Sequence, residues 1–167
     1  MPSFNDTLPQ PASAVDLPEI NQVISAAVMQ WSLPERVKRL SLPSYHYHVH
    51  DLEHLQLVVL RDEDGCIVGV AAWETASPAD LPAGKRGLLL HGIYVLPEQQ
   101  RQGIGSALLS AALAASQVAG MDGLLVKAQT DARAFFAAQG MQQLPVSNPQ
   151  RDYPHRYWKA IDLAPSP

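Results

Sequence analysis

The hydrophobic and polar positions of the chain repeat with a helical period near its start. Residues 16–31 carry apolar side chains at spacings of three and four, which predicts an amphipathic helix. Asp16 is the expected N-cap, and Glu19, three residues later, completes a capping box. A second helix is predicted from Ser32 to about Leu40. Residues 43–54 have no clear period and are predicted to form a loop.

The middle of the chain has the short, β-branched-rich apolar runs that are typical of strands. Two such runs, at residues 54–60 and 66–73, flank a charged connection at 61–65. Because this connection ends in an Asp-Gly pair, it predicts a β-hairpin. Residues 77–84 have the composition of a loop, and a third strand is predicted over residues 87–96.

The helical period returns after Pro97. Small and apolar residues predict a helix that begins near Ile104 and ends at Gly120. The remaining predicted elements are a strand over 123–129, a helix over 131–139 capped by Thr130 and stopped by Gly140, and a strand over 157–163. This order of helices and strands predicts a mixed α/β domain.

Length and composition fit one globular domain. The 167 residues are 47% hydrophobic and 17% charged, which is an ordinary globular mixture. We therefore expect a single domain over residues 1–167, with its core over about 14–163. Prolines near both ends indicate frayed termini: Pro2, Pro9, Pro11, Pro165 and Pro167.

Charge and cysteine content exclude several classes of protein. A net charge of -4 argues against a nucleic-acid partner, which would favour a basic stripe. No segment approaches the roughly 20 apolar residues of a membrane span, and the N-terminus lacks the features of a secretory signal. The single cysteine, Cys66, excludes an internal disulfide and a CxxC-type metal site. A cytoplasmic protein is expected.

The most informative segment, residues 88–113, has a strand followed by a turn and a helix of small residues. Gly103 and Gly105 allow the backbone to come close to a ligand. The first N–H groups of the helix and its dipole favour an anion such as a pyrophosphate, which Arg101 can also contact. These residues leave one alternative open, a turn that packs and binds nothing.

The spacing of the glycines differs from that in two other phosphate-binding motifs. A Walker loop needs GxxxxGK followed by Ser or Thr, and a dinucleotide fingerprint needs a third glycine at position 108. Instead, the run Gln100-Arg101-Gln102-Gly103-Ile104-Gly105 resembles the (Gln or Arg)-x-x-Gly-x-(Gly or Ala) turn of the GCN5-related N-acetyltransferase (GNAT) superfamily.

A second family feature follows at the expected distance. Family members often have Asn-x-x-Ala, an aromatic pair and then Lys-x-Gly-Phe, to which Gln129, Ala132, Phe135-Phe136 and Gly140-Met141 are similar. The resemblance extends over about residues 14–163, and residues 54–141 carry it.

The resemblance implies the GNAT fold, a mixed twisted sheet flanked by helices, with acetyl-CoA as co-substrate and no metal. The strands at 88–96 and 123–129 would splay apart around the thioester, and the pantetheine arm would pair with the backbone of the first strand. The turn would hold the pyrophosphate. The coenzyme-binding residues implied in this way are Ile93, Tyr94, Val95, Gln100, Arg101, Gln102, Gly103, Ile104, Gly105, Ser106, Gln129 and Phe136.

Acetyl transfer to an amine requires a base that removes a proton from the ammonium group. His91 is the first candidate, because it lies on the same strand face as Ile93 and Val95 and its ordinary pKa of about 6.5 suits neutral pH. A similar histidine occurs in the arylalkylamine branch of the family. Glu74, at the end of the second hairpin strand, is the second candidate. A half-buried structural histidine and a solvated carboxylate are the alternatives.

The general acid is less clear, because Phe136 occupies the position where the family usually has a tyrosine. Three alternatives remain open. The thiolate leaves without protonation, Tyr94 or Tyr153 supplies the proton, or the domain binds CoA and catalyses poorly. Cys66 follows Gly65 in a hairpin without a basic neighbour, so a nucleophilic role is not expected.

Histidines at 46, 48 and 50 alternate and would share one face of an extended segment. They suit a transition metal, but a polar loop is the favoured interpretation. The same segment is where the family builds its acceptor pocket, so Tyr45, Tyr47 and Asp51 are positional candidates for substrate contact.

The predicted function is direct transfer of acetyl from acetyl-CoA to a primary amine of a small molecule or peptide. A non-catalytic module that binds or senses acyl-CoA, or a transferase of a longer acyl group, is the alternative. The family also includes homodimers. The sequence does not identify the acceptor, because acceptor loops vary on this fold.

Overall fold

The computed structural model describes residues 8–161. Its α-helices are α1 (Leu17–Val28), α2 (Glu35–Tyr45), α3 (Asp51–His54), α4 (Ile104–Val118) and α5 (Arg133–Ala138). Its strands are β1 (Gln10–Pro11), β2 (Gln56–Arg61), β3 (Ile67–Thr75), β4 (Gly87–Val95), β5 (Gly123–Lys127), β6 (Gln142–Gln143) and β7 (Arg156–Ala160). The described strands form one sheet in the order β1-β2-β3-β4-β5-β7-β6. Strand β4 is parallel to β5, whereas β7 is antiparallel to it, so the mixed α/β fold is confirmed.

Contacts divide the described chain into two compact units. The first contains the described residues through Ala72 together with Ile93–Leu109. The second contains Trp73–Gly92 together with the described residues from Ser110 onward. Each unit has its own hydrophobic cluster.

In the first unit, helix α1 has the amphipathic character that its sequence predicts. Its apolar face is fully covered and joins Val59 of β2 and Val70 of β3 in one cluster. Each large side chain buried in this way stabilises the fold by about 1.5–3 kcal/mol relative to exposure. The buried residues of the helix are Leu17, Ile20, Val23, Ile24, Ala27 and Val28.

The capping box before α1 lies one turn earlier than predicted, because a 3-10 turn precedes the helix. The amide of Ser13 donates to Asp16 Oδ2 at 2.9 Å. This bond is the main reason why the pKa of Asp16 lies below its ordinary value, and the Arg61 guanidinium, 2.7 Å from Asp16 Oδ1, adds to it. Glu19 is not part of a capping box, and its carboxylate instead accepts a hydrogen bond from the Ile67 amide at 3.0 Å.

The predicted loop over residues 43–54 is partly helical, so that prediction is wrong. Helix α2 continues to Tyr45 with Pro43 in its last turn, where a missing N–H group removes only one intrahelical bond. Helix α3 follows after the His48 amide donates to the Asp51 carboxylate at 2.7 Å. A helix of four residues is too short for its period to be recognised in the sequence.

Two strands of two residues each lie in segments for which none is predicted. Strand β1 pairs antiparallel with β2, so Gln10 and Pro11 are an edge strand rather than part of a frayed end. Strand β6 pairs antiparallel with β7 through Gln142 and Gln143. Pro9, another predicted frayed position, is described and lies outside regular secondary structure directly before β1. The predicted frayed positions Pro2, Pro165 and Pro167 lie outside the described residues.

In the second unit, Arg156 at the start of β7 connects two loops. It is buried, and its guanidinium donates to the backbone carbonyls of Asp80 at 2.8 Å and Pro145 at 3.1 Å. Asp152, 3.6 Å from the same guanidinium, accepts hydrogen bonds from the amides of two residues in the second of these loops, both at 3.0 Å. The loops at 77–84 and 144–155 are thus held by buried charged groups.

We expect Asp152→Asn to lower the melting temperature at neutral pH. The pKa of Asp152 is below its ordinary value, chiefly because the Asn148 amide donates to it, and Arg151, Ser147 and Arg156 add to the effect. Such a carboxyl stabilises the fold above its unfolded pKa of about 3.9 and loses that contribution as the pH falls through its lower folded pKa. The difference in melting temperature between wild type and variant should therefore shrink below about pH 4. A difference that is constant with pH in calorimetric scans would contradict this.

Candidate active site and coenzyme-binding turn

Strand β4 presents the candidate base and two positions predicted to bind pantetheine on one face. Because side chains alternate along a strand, His91, Ile93 and Val95 point to the same side. Leu90 and Tyr94 point to the other side and are buried. The arrangement expected for His91 is therefore present.

Tyr94, one of the two candidate acids, lies in the hydrophobic cluster of the first unit together with Tyr47. Burial raises the pKa of Tyr94 well above its ordinary value, so its hydroxyl keeps its proton. However, its ring is on the face of β4 opposite His91. This position does not favour proton delivery on the His91 side.

Strand β4 extends beyond its pairing with β5. The parallel register runs from Gly87 opposite Gly123 to Leu90 opposite Val126, and β5 ends at Lys127. The stretch Ile93–Val95 therefore lies past the residues of β4 that pair with β5. The separation of the two strands around a thioester stays a prediction.

The turn that is predicted to bind the coenzyme follows directly from β4. The Leu96 amide donates to the Val68 carbonyl at 3.0 Å, and a 3-10 turn over Pro97–Gln99 leads to Gln100. Helix α4 then begins at Ile104, and the Gly103 carbonyl accepts a hydrogen bond from the amide of the fourth residue after it at 3.0 Å. The turn from Gln100 to Ser106 thus ends in the first helical amides, as the sequence predicts.

Two residues of this turn have left-handed backbone conformations. Gly103 has φ of 84°, which glycine adopts without strain. Arg101 has φ of 66° and is the one non-glycine residue with positive φ in the described part of the chain. Such a conformation costs an arginine about 1–2 kcal/mol. A non-glycine residue kept in this conformation is typical of a functional turn.

Gly69 of β3 allows α4 to lie close to the sheet in the first unit. A Cβ atom at Gly69 would lie 2.6 Å from Ile104 Cγ2 and 2.9 Å from Leu108 Cδ1. Both distances are shorter than carbon atoms tolerate without a shift of their neighbours. The start of α4, and with it the turn that is predicted to bind the coenzyme, is therefore positioned by a glycine.

We expect Gly69→Ala to destabilise the protein by about 1–3 kcal/mol, because it overpacks this contact. The displaced helix should also bind CoA less tightly, which isothermal calorimetry measures. Ile104→Ala removes the atom that the new methyl group would meet. The double variant Gly69→Ala/Ile104→Ala should therefore be more stable than the sum of the single variants predicts. Additive losses would show that the clash is absent.

The two candidate bases lie together in the second unit. Nε2 of His91 is 2.8 Å from Oε2 of Glu74, within hydrogen-bond distance. Both side chains are partly exposed, at 35% for His91 and 39% for Glu74. Sequence analysis treats them as alternatives, whereas the structure joins them in one pair.

Phe136 is buried and packs edge to face on Phe135, with a ring-centroid distance of 5.1 Å. It also lies 6.3 Å from the ring of Tyr157. A side chain placed in this way acts as a core residue of the second unit. The hydroxyl of Tyr153, the other candidate acid, donates to the Ala128 carbonyl at 3.2 Å.

Gln129 caps the helical segment that contains Phe136. Its side-chain oxygen accepts a hydrogen bond from the Asp131 amide at 2.9 Å, so Gln129 rather than Thr130 is the cap. Thr130 lies inside the 3-10 turn that starts the segment, which explains why its hydroxyl does not take this role. Gly140 ends the helix with φ of 81°, as predicted.

The alternating histidines do not gather around a metal. Nε2 of His46 is 2.7 Å from the Ser25 hydroxyl, and the rings of His48 and His50 stack at 6.2 Å. Burial lowers the pKa of His46, with a smaller contribution from His48. Among the described residues, no group of three or more His, Cys, Asp or Glu side chains is arranged to hold a metal ion.

Cys66 is exposed in the hairpin after Gly65. Its pKa is above the ordinary value, mainly because the Asp62 carboxylate lies nearby. A raised pKa disfavours the thiolate, which is the nucleophilic form. A nucleophilic role is therefore still not expected of Cys66.

A family model described as the acetyltransferase (GNAT) family matches residues 25–141. The chain belongs to the GNAT family. The matched region contains the hairpin, β4, the turn, α4 and the aromatic pair. Membership supports an acetyl-CoA-dependent acyltransferase. No curated protein sequence gives a match.

Solved structures support the same fold for this GNAT protein. It is similar to PaiA N-acetyltransferase from Thermoplasma acidophilum in complex with coenzyme A, with a TM-score of 0.74, 12% identity, and coverage of 93% of this chain and 99% of that one. It is also similar to a GNAT family acetyltransferase from Brucella melitensis in complex with acetyl-CoA, with a TM-score of 0.62, 20% identity, and coverage of 93% and 88%.

A third similar structure is AtaT complexed with acetyl-methionyl-tRNAfMet, with a TM-score of 0.56, 18% identity, and coverage of 80% of this chain and 86% of that one. At these identities the likeness concerns the fold. Within residues 8–161 of this GNAT protein, no helix has the length and hydropathy needed to cross a membrane.

Proposed function

We propose that this GNAT protein transfers the acetyl group of acetyl-CoA directly to a primary amine of a small molecule or peptide. The observation that carries the proposal is the arrangement along β4. His91 shares a face with Ile93 and Val95, and the latter two lie beyond the pairing with β5. The strand then leads directly into the turn from Gln100 to Ser106.

The residues of this segment fit the coenzyme. Peptide groups of Ile93 and Val95 would pair with the amides of the pantetheine arm, as a further strand would. The backbone amides at the start of α4 and the Arg101 guanidinium would bind the pyrophosphate, because helix N-termini and arginines favour phosphate oxygens. Bound there, the coenzyme supplies a thioester whose carbonyl carbon is open to attack.

His91 would act as the general base. It takes a proton from the ammonium group of the acceptor, and the electron pair of the broken N–H bond stays on nitrogen. The neutral amine then attacks the thioester carbon, a C–N bond forms and the C–S bond breaks. The second proton of the attacking nitrogen leaves with the thiolate as free thiol, so no side chain at position 136 has to donate it. Phe136 is compatible with this chemistry.

The acceptor would be a small cationic amine. The net charge of -4 attracts cations in general, and the Glu74 carboxylate provides a negative group beside the base. An acceptor attached to a nucleic acid would meet repulsion from the same net charge. Aminoacyl-tRNA is therefore the least favoured member of an acceptor panel.

The first test is a thermal shift with acetyl-CoA and CoA, followed by a thiol-release assay over a panel of amines. Coenzyme at about a hundredfold above its Kd should stabilise the protein by ~2.7 kcal/mol. Sequential initial-rate patterns are expected, because no covalent acetyl-enzyme forms. Ping-pong kinetics with an isolable acetyl-enzyme, or no coenzyme binding, would contradict the proposal.

Phe136 also favours a second candidate, a module that binds acyl-CoA without catalysis. Saturable coenzyme binding with no turnover across the panel would favour that function. Propionyl-CoA and butyryl-CoA in the same assay test whether a longer acyl group is transferred.

A further inference from the structure

The pair formed by Glu74 and His91 joins neighbouring strands of the sheet in the second unit, β3 and β4. Both side chains are about one-third exposed, and the Nε2–Oε2 distance is 2.8 Å. Partly exposed ion pairs contribute only about 0–1 kcal/mol to stability. A contribution to stability therefore does not explain why Glu74 is paired with the proposed base.

The hydrogen bond determines which nitrogen of His91 can accept a proton. An ionised carboxylate is an acceptor only, so the hydrogen in the bond must belong to Nε2 of His91. In a neutral imidazole with hydrogen on Nε2, the lone pair is on Nδ1. The bond to Glu74 thus leaves Nδ1 as the nitrogen that can accept a proton from another molecule.

Two other charged side chains of the second unit already have partners. Lys127 Nζ is 3.0 Å from Asp80 Oδ2. The Arg156 guanidinium, at the position of β7 that pairs with Lys127, is 3.6 Å from Asp152. Among the described residues, Glu74 is the carboxylate that contacts His91.

We infer that Glu74 is a positioning residue, which holds His91 with hydrogen on Nε2 and stabilises the imidazolium formed when Nδ1 takes a proton from the acceptor ammonium. This inference rests on the proposed function. In the step itself, an N–H bond of the ammonium breaks, its electron pair remains on the amine nitrogen, and an Nδ1–H bond forms. Water accepts the proton from Nδ1 after each turnover.

Glu74→Gln tests the inference, because glutamine keeps an oxygen acceptor but removes the negative charge. Two-bond ¹H–¹⁵N NMR spectra of the ligand-free protein report the His91 tautomer, with His91→Ala to assign its signals. We expect the Nε2–H form to predominate in the wild type and a larger share of the Nδ1–H form in Glu74→Gln, because a glutamine amide can donate as well as accept. A predominant Nδ1–H form in the wild type would overturn the inference.

Glu63→Gln is the matched control, because it makes the same substitution at an exposed residue of the hairpin connection in the first unit. In kcat/KM profiles against pH, the acidic limb should move to lower pH in Glu74→Gln and much less in Glu63→Gln. Equal shifts in the two variants, or no shift in Glu74→Gln, would assign the effect to the general field and overturn the positioning role.

The two ideas fail in different experiments. If the wild type acetylates no amine in the panel, the proposed function fails, and the role of Glu74 in proton transfer fails with it. If the wild type is active and only the comparison of Glu74→Gln with wild type shows no change, the proposed function stands and the inference about Glu74 is wrong.

Discussion

Replacing His91 by alanine should lower kcat/KM for the acceptor amine by about a hundredfold or more at neutral pH, because general base catalysis contributes on the order of 10²–10⁴. A primary amine with a pKa of about 10 is almost entirely protonated under these conditions. Without a base, only the small unprotonated fraction would react. The thiol-release assay measures the loss directly.

The deficit of His91→Ala should shrink as the pH rises. Each pH unit below the pKa of the amine changes the fraction of free amine about tenfold, so an alkaline medium replaces the base. Coenzyme affinity should stay unchanged, because the pantetheine contacts proposed for β4 use its backbone. Arg39→Ala, which removes an exposed side chain of α2 in the first unit, should leave kcat/KM as in the wild type.

A pH-independent loss in His91→Ala would indicate that the histidine supports the strand rather than accepts a proton. Wild-type activity in the variant would place the base elsewhere. In that case Glu74, which no longer has its partner, is the side chain to replace next.

Long elements with a strong period could be predicted from the sequence, and short ones could not. Helix α1 and strand β4 carry enough buried positions for their periods to be recognised. Strand β1 and helix α3 have two and four residues, and they form because of partners distant in sequence or a single cap. Local sequence contains no signal for such partners.

The candidate site shows the same division. The proposed coenzyme-binding turn from Gln100 to Ser106 is contiguous, so its residues, including its two glycines, are recognisable in one segment of sequence. The pair of Glu74 and His91 depends on the register of β3 against β4 across an intervening loop of about a dozen residues. Register of this kind is determined by packing on both faces of the sheet, which a single sequence does not reveal.

Arg101→Glu should weaken CoA binding by about a hundredfold, the second of the two large effects that we expect. Hydrogen bonds to charged groups are worth about 1.5–3 kcal/mol, and each 1.4 kcal/mol changes Kd tenfold. Charge reversal also adds repulsion from the pyrophosphate. Isothermal calorimetry at low and high salt measures both the lost hydrogen bonds and the added repulsion, because added salt should reduce the difference in Kd between variant and wild type.

Arg101→Gly separates the charge of this residue from its backbone conformation. It removes the guanidinium, so Kd should rise by about tenfold, less than in Arg101→Glu. At the same time it relieves the left-handed strain at φ of 66°. The ligand-free Arg101→Gly protein should therefore melt at a higher temperature than ligand-free Arg101→Glu, although both lack the cation.

Arg39→Glu is the control for charge reversal, since Arg39 is exposed on α2 and pairs with Glu35 at 3.3 Å. It changes the net charge by the same amount as Arg101→Glu but lies outside the turn. If both reversals weaken CoA binding equally, the coenzyme responds to the overall charge of the protein. If only Arg101→Glu does so and Arg101→Gly lies between it and the wild type, then the guanidinium at this strained position contacts the phosphates, which explains why an arginine is kept where a glycine would cost less.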